Sequence, residues 1–159
     1  MKMVDVGAKP KTQRVAIASG RVRMSTDALD AIRAGAVEKG DVIAAARLAG
    51  IMAAKKTSDL IPLCHPIGLS GVEIEVVAKV VGVDIRATVK TVERTGVEME
   101  ALAAVTAAAL TIYDMLKSLD RAMTIEAVRL EFKSGGRSGV FTRAEKGKTV
   151  LKKRRRSTS

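Results

Sequence analysis

Residues 91–121 read TVERTGVEMEALAAVTAAALTIYDMLKSLDR, and this stretch decides the fold of the chain. Its first residues suit a strand, which gives way at Thr95-Gly96 to a long alanine-rich helix. Thr95 and Glu98 have the spacing of a capping box, so the helix is predicted to start there. Apolar side chains then recur at helical spacing and predict one buried face, made of Leu102, Val105, Ala109, Ile112, Met115, Leu116 and Leu119.

The charged side chains on this helix fall at two distant points. Asp114 and Lys117 are three residues apart and share a face. Glu100 and Asp114 also lie near one face, but they are roughly 21 Å apart along the axis of a regular helix. One small substrate does not bridge that distance, so two copies of the chain must meet if both carboxylates act in one reaction. The alternative is that Glu98 caps the helix and that Asp114 and Lys117 form an ordinary surface ion pair.

The composition predicts a single domain, which we place at residues 1–142. The chain has 159 residues, of which 47% are hydrophobic, so it can bury a core. One Cys excludes an internal disulfide, and one Cys with one His cannot complete a zinc site within one chain. We therefore expect no metal and no cofactor. Because the sequence shows neither an apolar signal run nor a membrane-length apolar stretch, we expect no membrane partner and a cytoplasmic location.

The net charge of +11 is concentrated near the C-terminus. Residues 143–159 hold eight Lys or Arg and one Glu, whereas the other 142 residues hold 20 basic and 16 acidic residues. The run Lys152–Arg156 predicts a solvated, disordered tail. Contact with nucleic acid or another anionic surface is the functional alternative for this tail.

The first part of the chain predicts one strand followed by two capped helices. Arg14–Met24 alternates between apolar and polar residues, which is typical of a strand. Each helix has an N-cap residue in front of it. The predicted helices are Thr26–Ala34, behind Ser25 and ending at Gly35, and Val42–Lys56, behind Asp41.

Two prolines make the segment 58–70 stiff. Pro62 and Pro66 disfavour helical geometry at the residues before them, and they hold Leu63-Cys64-His65 between them. Such a segment can offer backbone N–H groups and an imidazole to a ligand at little entropic cost. A buried connector, with His65 bonded to the backbone, explains the pattern equally well.

The remaining elements are strands and one glycine-rich loop. Gly71–Lys79 and Val83–Arg94 predict an antiparallel hairpin, and Met123–Phe132 predicts a last strand. Lys133–Gly139, with the sequence KSGGRSG, could wrap an anion, with Lys133 and Arg137 supplying charge. This order predicts an α+β fold: a ferredoxin-like βαββαβ arrangement with an antiparallel sheet, helices on one face and one extra helix.

Cations outnumber carboxylates among the polar residues outside the tail. This excess suits a substrate with several phosphates, whose oxygens Lys and Arg neutralise. An Asp–Lys pair on one helix face suits general acid–base chemistry. The sequence contains no Walker lysine, dinucleotide fingerprint or Cys-based cofactor motif.

Four long motifs, in this order and spacing, resemble the family of molybdenum cofactor biosynthesis protein C (MoaC). The motifs are LIPLCHP from Leu60, RTGVEMEAL from Arg94, ALTIYDM from Ala109 with a Lys two residues later, and KSGGRSG from Lys133. MVDV at Met3 and KGD at Lys39 also match, and the resemblance covers roughly residues 3–139. Two positions depart from it: Arg137 stands where many members have Lys, and Arg94 where Lys or Gly is also seen.

The resemblance implies a lyase, cyclic pyranopterin monophosphate synthase. Its substrate would be a GTP-derived cyclic nucleotide triphosphate, (8S)-3′,8-cyclo-7,8-dihydroguanosine 5′-triphosphate. Its products would be cyclic pyranopterin monophosphate and pyrophosphate, in molybdenum cofactor biosynthesis. The family also implies a homohexamer, a trimer of dimers, with active sites at the dimer interfaces.

The same resemblance assigns roles to individual residues. Asp114, Lys117 and Lys39 match catalytic positions of the family. The positions that match substrate-binding residues are Leu63, Cys64, His65, Met99, Glu100, Lys55, Lys133 and Arg137.

Two competing classes of function remain at this stage. A compact α+β domain with a basic tail could bind RNA, but the predicted strands lack stacking aromatics, since the chain has only Tyr113, Phe132 and Phe141. An oligomer without chemistry would leave the Asp114–Lys117 pair and the excess of cations unexplained. Deleting residues 143–159 separates the classes, because a synthase keeps its activity whereas a tail-driven binder loses affinity.

Overall fold

The structure, a computed structural model, describes residues 1–144, so the basic run Lys152–Arg156 lies outside the described residues. Within residues 1–144, five strands form one sheet and four helices accompany it. The strands are β1 (Thr12–Arg23), β2 (Gly71–Ala78), β3 (Gly82–Glu93), β4 (Thr124–Ser134) and β5 (Phe141–Thr142). The helices are α1 (Thr26–Ala34), α2 (Val42–Lys55), α3 (Thr57–Leu60) and α4 (Glu98–Leu116).

The sheet is antiparallel throughout, with strand order β2-β3-β1-β4-β5. The β2–β3 hairpin forms as predicted, with Val76 opposite Ile85. The central strand β1 pairs with β3 on one side and with β4 on the other, so Ala18 lies opposite both Ala87 and Leu130. This order of the first four strands confirms the predicted ferredoxin-like α+β fold.

The core lies between the sheet and the two long helices. β1 turns Ala16, Ala18 and Val22 inward, and α4 buries Ala104 and Ala108, among others, against β1 and β3. By length and hydropathy alone α4 could cross a membrane, but half of that stretch is buried in this domain. α4 is therefore the central core helix.

α2 packs closely on α4 because a glycine stands at their contact. A Cβ added at Gly50 would lie 3.1 Å from the Ala104 carbonyl oxygen, tighter than ordinary van der Waals contact. A larger residue at this position would require its neighbours on α4 or β2 to shift. This contact fixes α2, and with it the loop in front of α2, relative to α4.

The predicted caps of the first two helices are confirmed. The Ser25 hydroxyl accepts a hydrogen bond from the Ala28 amide at 3.4 Å, and Gly35 ends α1 in the left-handed conformation with φ of 63°. The Asp41 carboxylate accepts from the Ala44 amide at 3.0 Å. α2 ends at Lys55, one residue earlier than predicted.

The capping box predicted for the central helix is wrong. α4 begins at Glu98, Val97 is its N-cap residue, and within residues 1–144 no side chain caps it. The Glu98 carboxylate instead folds back over Gly96, where it lies so close that a Cβ would collide with it. Leu119 was predicted to be buried, but it follows the end of α4 and is 52% exposed.

The structure corrects three further boundaries. Lys133, predicted to open the glycine-rich loop, lies inside β4. Phe141, predicted to follow the last strand, belongs to the short strand β5. Helical structure also continues further than predicted, because the turn α3 covers Thr57–Leu60, whereas Ile61, directly before Pro62, is extended as predicted, with φ of −109° and ψ of 107°.

Candidate active site

All of the predicted site residues except Lys55 lie at or beside the two ends of α4. At its C-terminal end, Lys39, Asp114 and Lys117 form the lysine–aspartate cluster. At its N-terminal end lies the histidine cavity, of about 300 Å³, lined by Leu63, Cys64, His65, Thr95, Gly96, Glu98, Met99 and Glu100. Beside it lies the cationic cavity, of about 660 Å³, lined by Lys9, Pro10, Thr12, Arg14, Val15, Arg94, Thr95, Gly96, Glu98, Lys133, Ser134, Gly135, Gly136, Arg137 and Ser138.

In the lysine–aspartate cluster, two ammonium groups hold one carboxylate. Lys117 Nζ lies 2.7 Å from Asp114 Oδ1, as the three-residue spacing predicts. Lys39 Nζ lies 2.7 Å from Asp114 Oδ2 and also donates to the Asp114 backbone carbonyl oxygen at 2.9 Å. All three side chains are about half exposed. The cluster carries a net positive charge and is open to solvent.

A tight loop between α1 and α2 places Lys39 in this cluster. Gly40 has φ of 98°, a conformation that side chains disfavour, and its amide donates to the Val37 carbonyl at 2.9 Å. Asp41 follows at once as the N-cap of α2. Since α2 is packed on α4, the loop holds Lys39 against the far end of the same helix.

The two lysines determine the charge state of Asp114. Their hydrogen bonds, first that of Lys117 and then that of Lys39, lower the pKa of the Asp114 carboxyl to about 2. Asp114 is therefore ionised at neutral pH and is a weak base in this state. In this geometry its two carboxylate oxygens hold the ammonium groups of Lys39 and Lys117 beside each other at the surface.

In the histidine cavity, the segment between the prolines forms a turn. The Ile61 amide donates to Thr57 O at 2.9 Å, and the Cys64 amide donates to Ile61 O at 3.0 Å. His65 Nε2 lies 2.7 Å from the Val4 carbonyl oxygen, so the imidazole is bonded to the backbone and also lines the cavity. The predicted bond from His65 to the backbone is therefore confirmed, but the segment is not a buried connector, since Leu63 is 47% exposed, and ligand binding by this segment stays a prediction.

Glu100 is the buried acid of the histidine cavity. Only 4% of its surface is exposed, and this burial, with a smaller contribution from the nearby Glu98, raises the pKa of its carboxyl. Burial, and then the charge of Glu100, also raises the pKa of the Cys64 thiol. Glu100 can therefore hold a proton at a higher pH than an ordinary carboxyl, which suits a proton donor or acceptor.

The cationic cavity collects basic residues from four separate segments. Arg14 donates from its Nη2 to the Arg94 carbonyl oxygen at 3.3 Å, and Lys133 bonds the Ser138 hydroxyl. Gly135 and Gly136 both have positive φ, and a Cβ at either position would collide with Arg14 or with the backbone at Gln13. The glycines of the loop are thus needed so that it can close over the β1 arginine.

Comparison with known proteins identifies the family of the chain. The MoaC family profile matches residues 3–136, which is most of the chain and includes both ends of α4. The chain belongs to the MoaC family.

Several curated relatives of the MoaC chain carry one enzyme name. A protein of Novosphingobium aromaticivorans named cyclic pyranopterin monophosphate synthase is 58% identical over 91% of this chain and 92% of its own length. A protein of Thermomicrobium roseum with the same name is 56% identical over 91% of this chain and 88% of its own length. The protein named cyclic pyranopterin monophosphate synthase 3 in Mycobacterium bovis is 59% identical over 89% of this chain and 81% of its own length.

The structure of this MoaC chain adds basic residues that the sequence did not assign to the site. Lys9, Arg14 and Arg94 line the cationic cavity with the predicted Lys133 and Arg137. They come together because β1 runs between β3 and β4, with Thr12 opposite Glu93 and Val15 opposite Ser134. Strand order and register are the signal that would have found them.

One predicted basic residue lies apart from the others. Lys55 is exposed at the last position of α2, and among the described residues it lines neither the histidine cavity nor the cationic cavity. In contrast to Lys55, the segment Thr95–Glu98 borders both cavities, since Thr95, Gly96 and Glu98 line each of them. A substrate could therefore extend from one cavity into the other across this segment.

Proposed function

We propose that this chain is a cyclic pyranopterin monophosphate synthase, the enzyme that its curated relatives are named for. It would convert (8S)-3′,8-cyclo-7,8-dihydroguanosine 5′-triphosphate to cyclic pyranopterin monophosphate and pyrophosphate. The observation that carries the proposal is the ion pair between Lys39 and Asp114, which are 75 residues apart in the chain. Asp114 also pairs with Lys117. Three residues that match family catalytic positions thereby form one cluster.

In this proposal the lysine–aspartate cluster acts on the reacting atoms. Asp114 stays ionised and orients Lys39 and Lys117, whose ammonium groups neutralise developing negative charge and exchange protons with the substrate. Glu100, with its raised pKa, is the second group suited to proton exchange. The pyrophosphate that leaves carries charge that nearby cations must stabilise.

The cationic cavity is suited to the triphosphate. Lys133 and Arg137, which we propose as substrate-binding residues, line it with three further cations, and Arg can bind phosphate oxygens in pairs. Leu63, Cys64, His65, Met99 and Glu100 would then hold the base-derived ring system in the adjoining histidine cavity. Lys55, which we also propose as a substrate-binding residue, would contribute its positive charge from outside both cavities.

The two ends of α4 are too far apart to act on one substrate within one chain. Glu100 and Asp114 are 14 residues apart on α4, which places them roughly 21 Å apart along the axis. We propose that the site is shared, with the lysine–aspartate cluster of one protomer facing the histidine cavity of its partner across a two-fold axis.

An exposed stripe on α4 supports this shared site. Met99, Thr106, Leu110 and Asp114 are exposed, with helical spacing that sets them along one side of α4. In an antiparallel pair of α4 helices, Asp114 would lie opposite Met99 of the second copy, with the two-fold axis passing near Thr106. The exposed Leu48 (62%) and Met52 (45%) of the neighbouring α2 would widen the apolar contact.

The larger assembly and the location follow the family. We propose that the dimers assemble as trimers into a homohexamer in the cytoplasm. The packing of α4 in the core of the domain supports a location away from the membrane.

The direct test is turnover of the proposed substrate by the purified protein. Incubation with the cyclised triphosphate should release one pyrophosphate per cyclic pyranopterin monophosphate formed, and the Lys117→Ala variant should release almost none. Deleting residues 143–159 should leave the rate unchanged. Binding of substrate without pyrophosphate release by the intact protein would contradict the proposed function.

The assignment of the triphosphate to the cationic cavity has its own test. Lys133→Ala and Arg14→Ala should each raise KM about tenfold, the loss expected for one charge-assisted hydrogen bond, with a smaller effect on kcat. The matched control is Arg23→Ala, since the exposed Arg23 pairs with Glu126 at 3.4 Å and does not line the cavity. An unchanged KM in both cavity variants would place the phosphates elsewhere.

A further inference from the structure

The segment before β1 bonds to residues that line both cavities. The Val4 carbonyl accepts a hydrogen bond from His65 Nε2 at 2.7 Å, and the Gly7 carbonyl accepts one from Arg94 Nη1. Lys9 lines the cationic cavity, and Lys11 pairs with Glu93 at 2.8 Å. We define residues 4–11 as the N-terminal strap.

The strap has internal structure that fixes its path. The Gly7 amide donates to the Asp5 carboxylate at 2.7 Å, and the Lys9 amide donates to Val6 O at 3.0 Å. These bonds form a tight turn that sets the Val4 and Gly7 carbonyls at defined positions. Because the strap otherwise buries little apolar surface, its polar contacts with His65, Arg94 and Glu93 hold it in place.

The Val4 contact determines the chemistry of His65. A carbonyl oxygen can only accept a hydrogen bond, so Nε2 must carry the proton. In the neutral imidazole Nδ1 is then unprotonated and can only accept. Among residues 1–144 the ring makes this one hydrogen bond, so Nδ1 is the polar atom of His65 that is left for a ligand.

We propose that the N-terminal strap is a positioning element of the active site, and that the Val4 carbonyl holds His65 as the Nε2–H tautomer. Nδ1 then accepts a hydrogen bond from an N–H or amino group of the base-derived ring of the substrate. The part that concerns the substrate rests on the proposed function, whereas the tautomer does not. Lys9, carried on the same strap, adds its charge to the phosphate end of the site.

The tautomer can be measured directly because His65 is the single His of the chain. Magic-angle-spinning ¹⁵N–¹³C spectra of the full chain labelled in histidine, at about pH 8 where an ordinary imidazole is neutral, show the two ring nitrogens of one residue. We expect one protonated nitrogen, assigned to Nε2, and one unprotonated nitrogen, assigned to Nδ1. A protonated Nδ1, or signals averaged over both tautomers, would overturn the proposal whether or not the protein is a synthase.

Deletion of residues 2–7 removes both strap carbonyls and tests their effect. The matched control is Met3→Ala with Val4→Ala, which shortens two exposed side chains and keeps every carbonyl. We expect averaged tautomers and a loss of about tenfold in kcat/KM for the deletion, corresponding to one net hydrogen bond, and little change for the control. A deletion variant that keeps the Nε2–H tautomer, or a control that loses it, contradicts the assignment to the Val4 carbonyl.

A second pair of variants covers the case in which the deletion variant does not fold. Gln places an amide nitrogen near the position of Nε2 and can still donate to Val4, whereas Ala cannot. Amide hydrogen exchange across residues 4–9 should stay slow in His65→Gln and become faster in His65→Ala. Equal exchange in the two variants would show that the imidazole does not hold the strap.

Discussion

The two ends of α4 carry carboxylates in opposite electrostatic settings. Glu100, in the first turn, is buried beside Glu98, and its pKa is raised by that burial. Asp114, in the last turn, is exposed between two lysines that lower its pKa to about 2. One helix therefore offers a carboxyl whose pKa is raised by burial and a carboxyl whose pKa is lowered by two lysines. The difference suits the Glu100 carboxyl to proton exchange, whereas the Asp114 carboxylate is suited to holding the two lysines in place.

The largest expected effect comes from the exposed end. Lys117→Ala should lower kcat by at least about 100-fold, because it removes a proton-exchanging and charge-stabilising group, while the midpoint of thermal unfolding stays near that of the wild type. Asp114→Asn should cause a similar loss of kcat, because the Asn side chain no longer orients Lys39 and Lys117.

The matched control for this effect is a second ion pair with the same spacing. Arg33 and Asp30 are also exposed, three residues apart and 3.1 Å from each other, on α1. Arg33→Ala should leave kcat unchanged. If Lys117→Ala retained near-normal pyrophosphate release, Asp114 and Lys117 would form an ordinary surface ion pair. The proposed role of this end of α4 in the reaction would then be wrong.

The next effect concerns the buried end and has a pH signature. The folded state raises the pKa of Glu100, so it binds a proton more tightly than the unfolded state, and stability falls as pH rises from the unfolded pKa through the folded one. Glu100→Gln should therefore unfold at a higher temperature than wild type at neutral pH, and the difference should vanish in acid below both pKa values. Thermal unfolding across pH measures this.

The activity of Glu100→Gln tests whether Glu100 exchanges protons with the substrate. Glu100→Gln should lower kcat about 10- to 100-fold, since Gln keeps the shape of the side chain but exchanges no proton. Glu73→Gln is the stability control, because Glu73 is exposed on β2 and lines neither cavity. A Glu100→Gln protein that is less stable than wild type at neutral pH would mean that the buried carboxylate is stabilised by its surroundings.

The smallest effect is the acid stability of the exposed end. The pKa of Asp114 is depressed, so its contribution to stability is present above the unfolded value of about 3.9 and is lost as pH falls toward about 2. In Asp114→Asn, the free energy of unfolding should fall slightly less between pH 5 and pH 2 than it does in the wild type. Added salt should reduce this difference because the pair is exposed. An Asn variant with the same pH profile as wild type would show that the lysines do not depress this pKa.

Much of the fold could be predicted because local signals and tertiary structure agree. Ser25, Gly35 and Asp41 mark helix ends by their own side chains and backbone preferences, and the structure places each where predicted. The strands of the hairpin follow from apolar alternation alone. Only residues at the ends of these strands differ from the prediction.

The start of α4 could not be predicted because local preference is overridden there. Thr95 and Glu98 have the pattern of a capping box, yet they line two cavities and leave the helix without a side-chain cap among residues 1–144. A sequence pattern that fails at a cavity wall is expected where a segment serves a site.

Without the family resemblance, contacts within the candidate site could be predicted only between residues close in sequence. The Asp114–Lys117 pair follows from three residues of one helix, but the second bond of Asp114, to Lys39, depends on how α2 packs on α4. Lys9, Arg14 and Arg94 meet because of strand order and register. Neither packing nor register is encoded in a local window of sequence.

The most direct test of the shared site is complementation between two inactive variants. His65→Ala lacks a group of the histidine cavity, and Lys117→Ala lacks a group of the lysine–aspartate cluster. Unfolded together and refolded at equal amounts, they should form mixed dimers in which one site has both defects and the other has none.

With random pairing, half of the dimers are mixed and one of their two sites is intact, so activity should return to about a quarter of the wild-type value. Each variant refolded alone should stay inactive, and mass spectrometry of differently labelled chains should show that the mixed dimers formed. Mixed dimers that form and remain inactive would contradict the shared site and place both ends of the reaction within one chain.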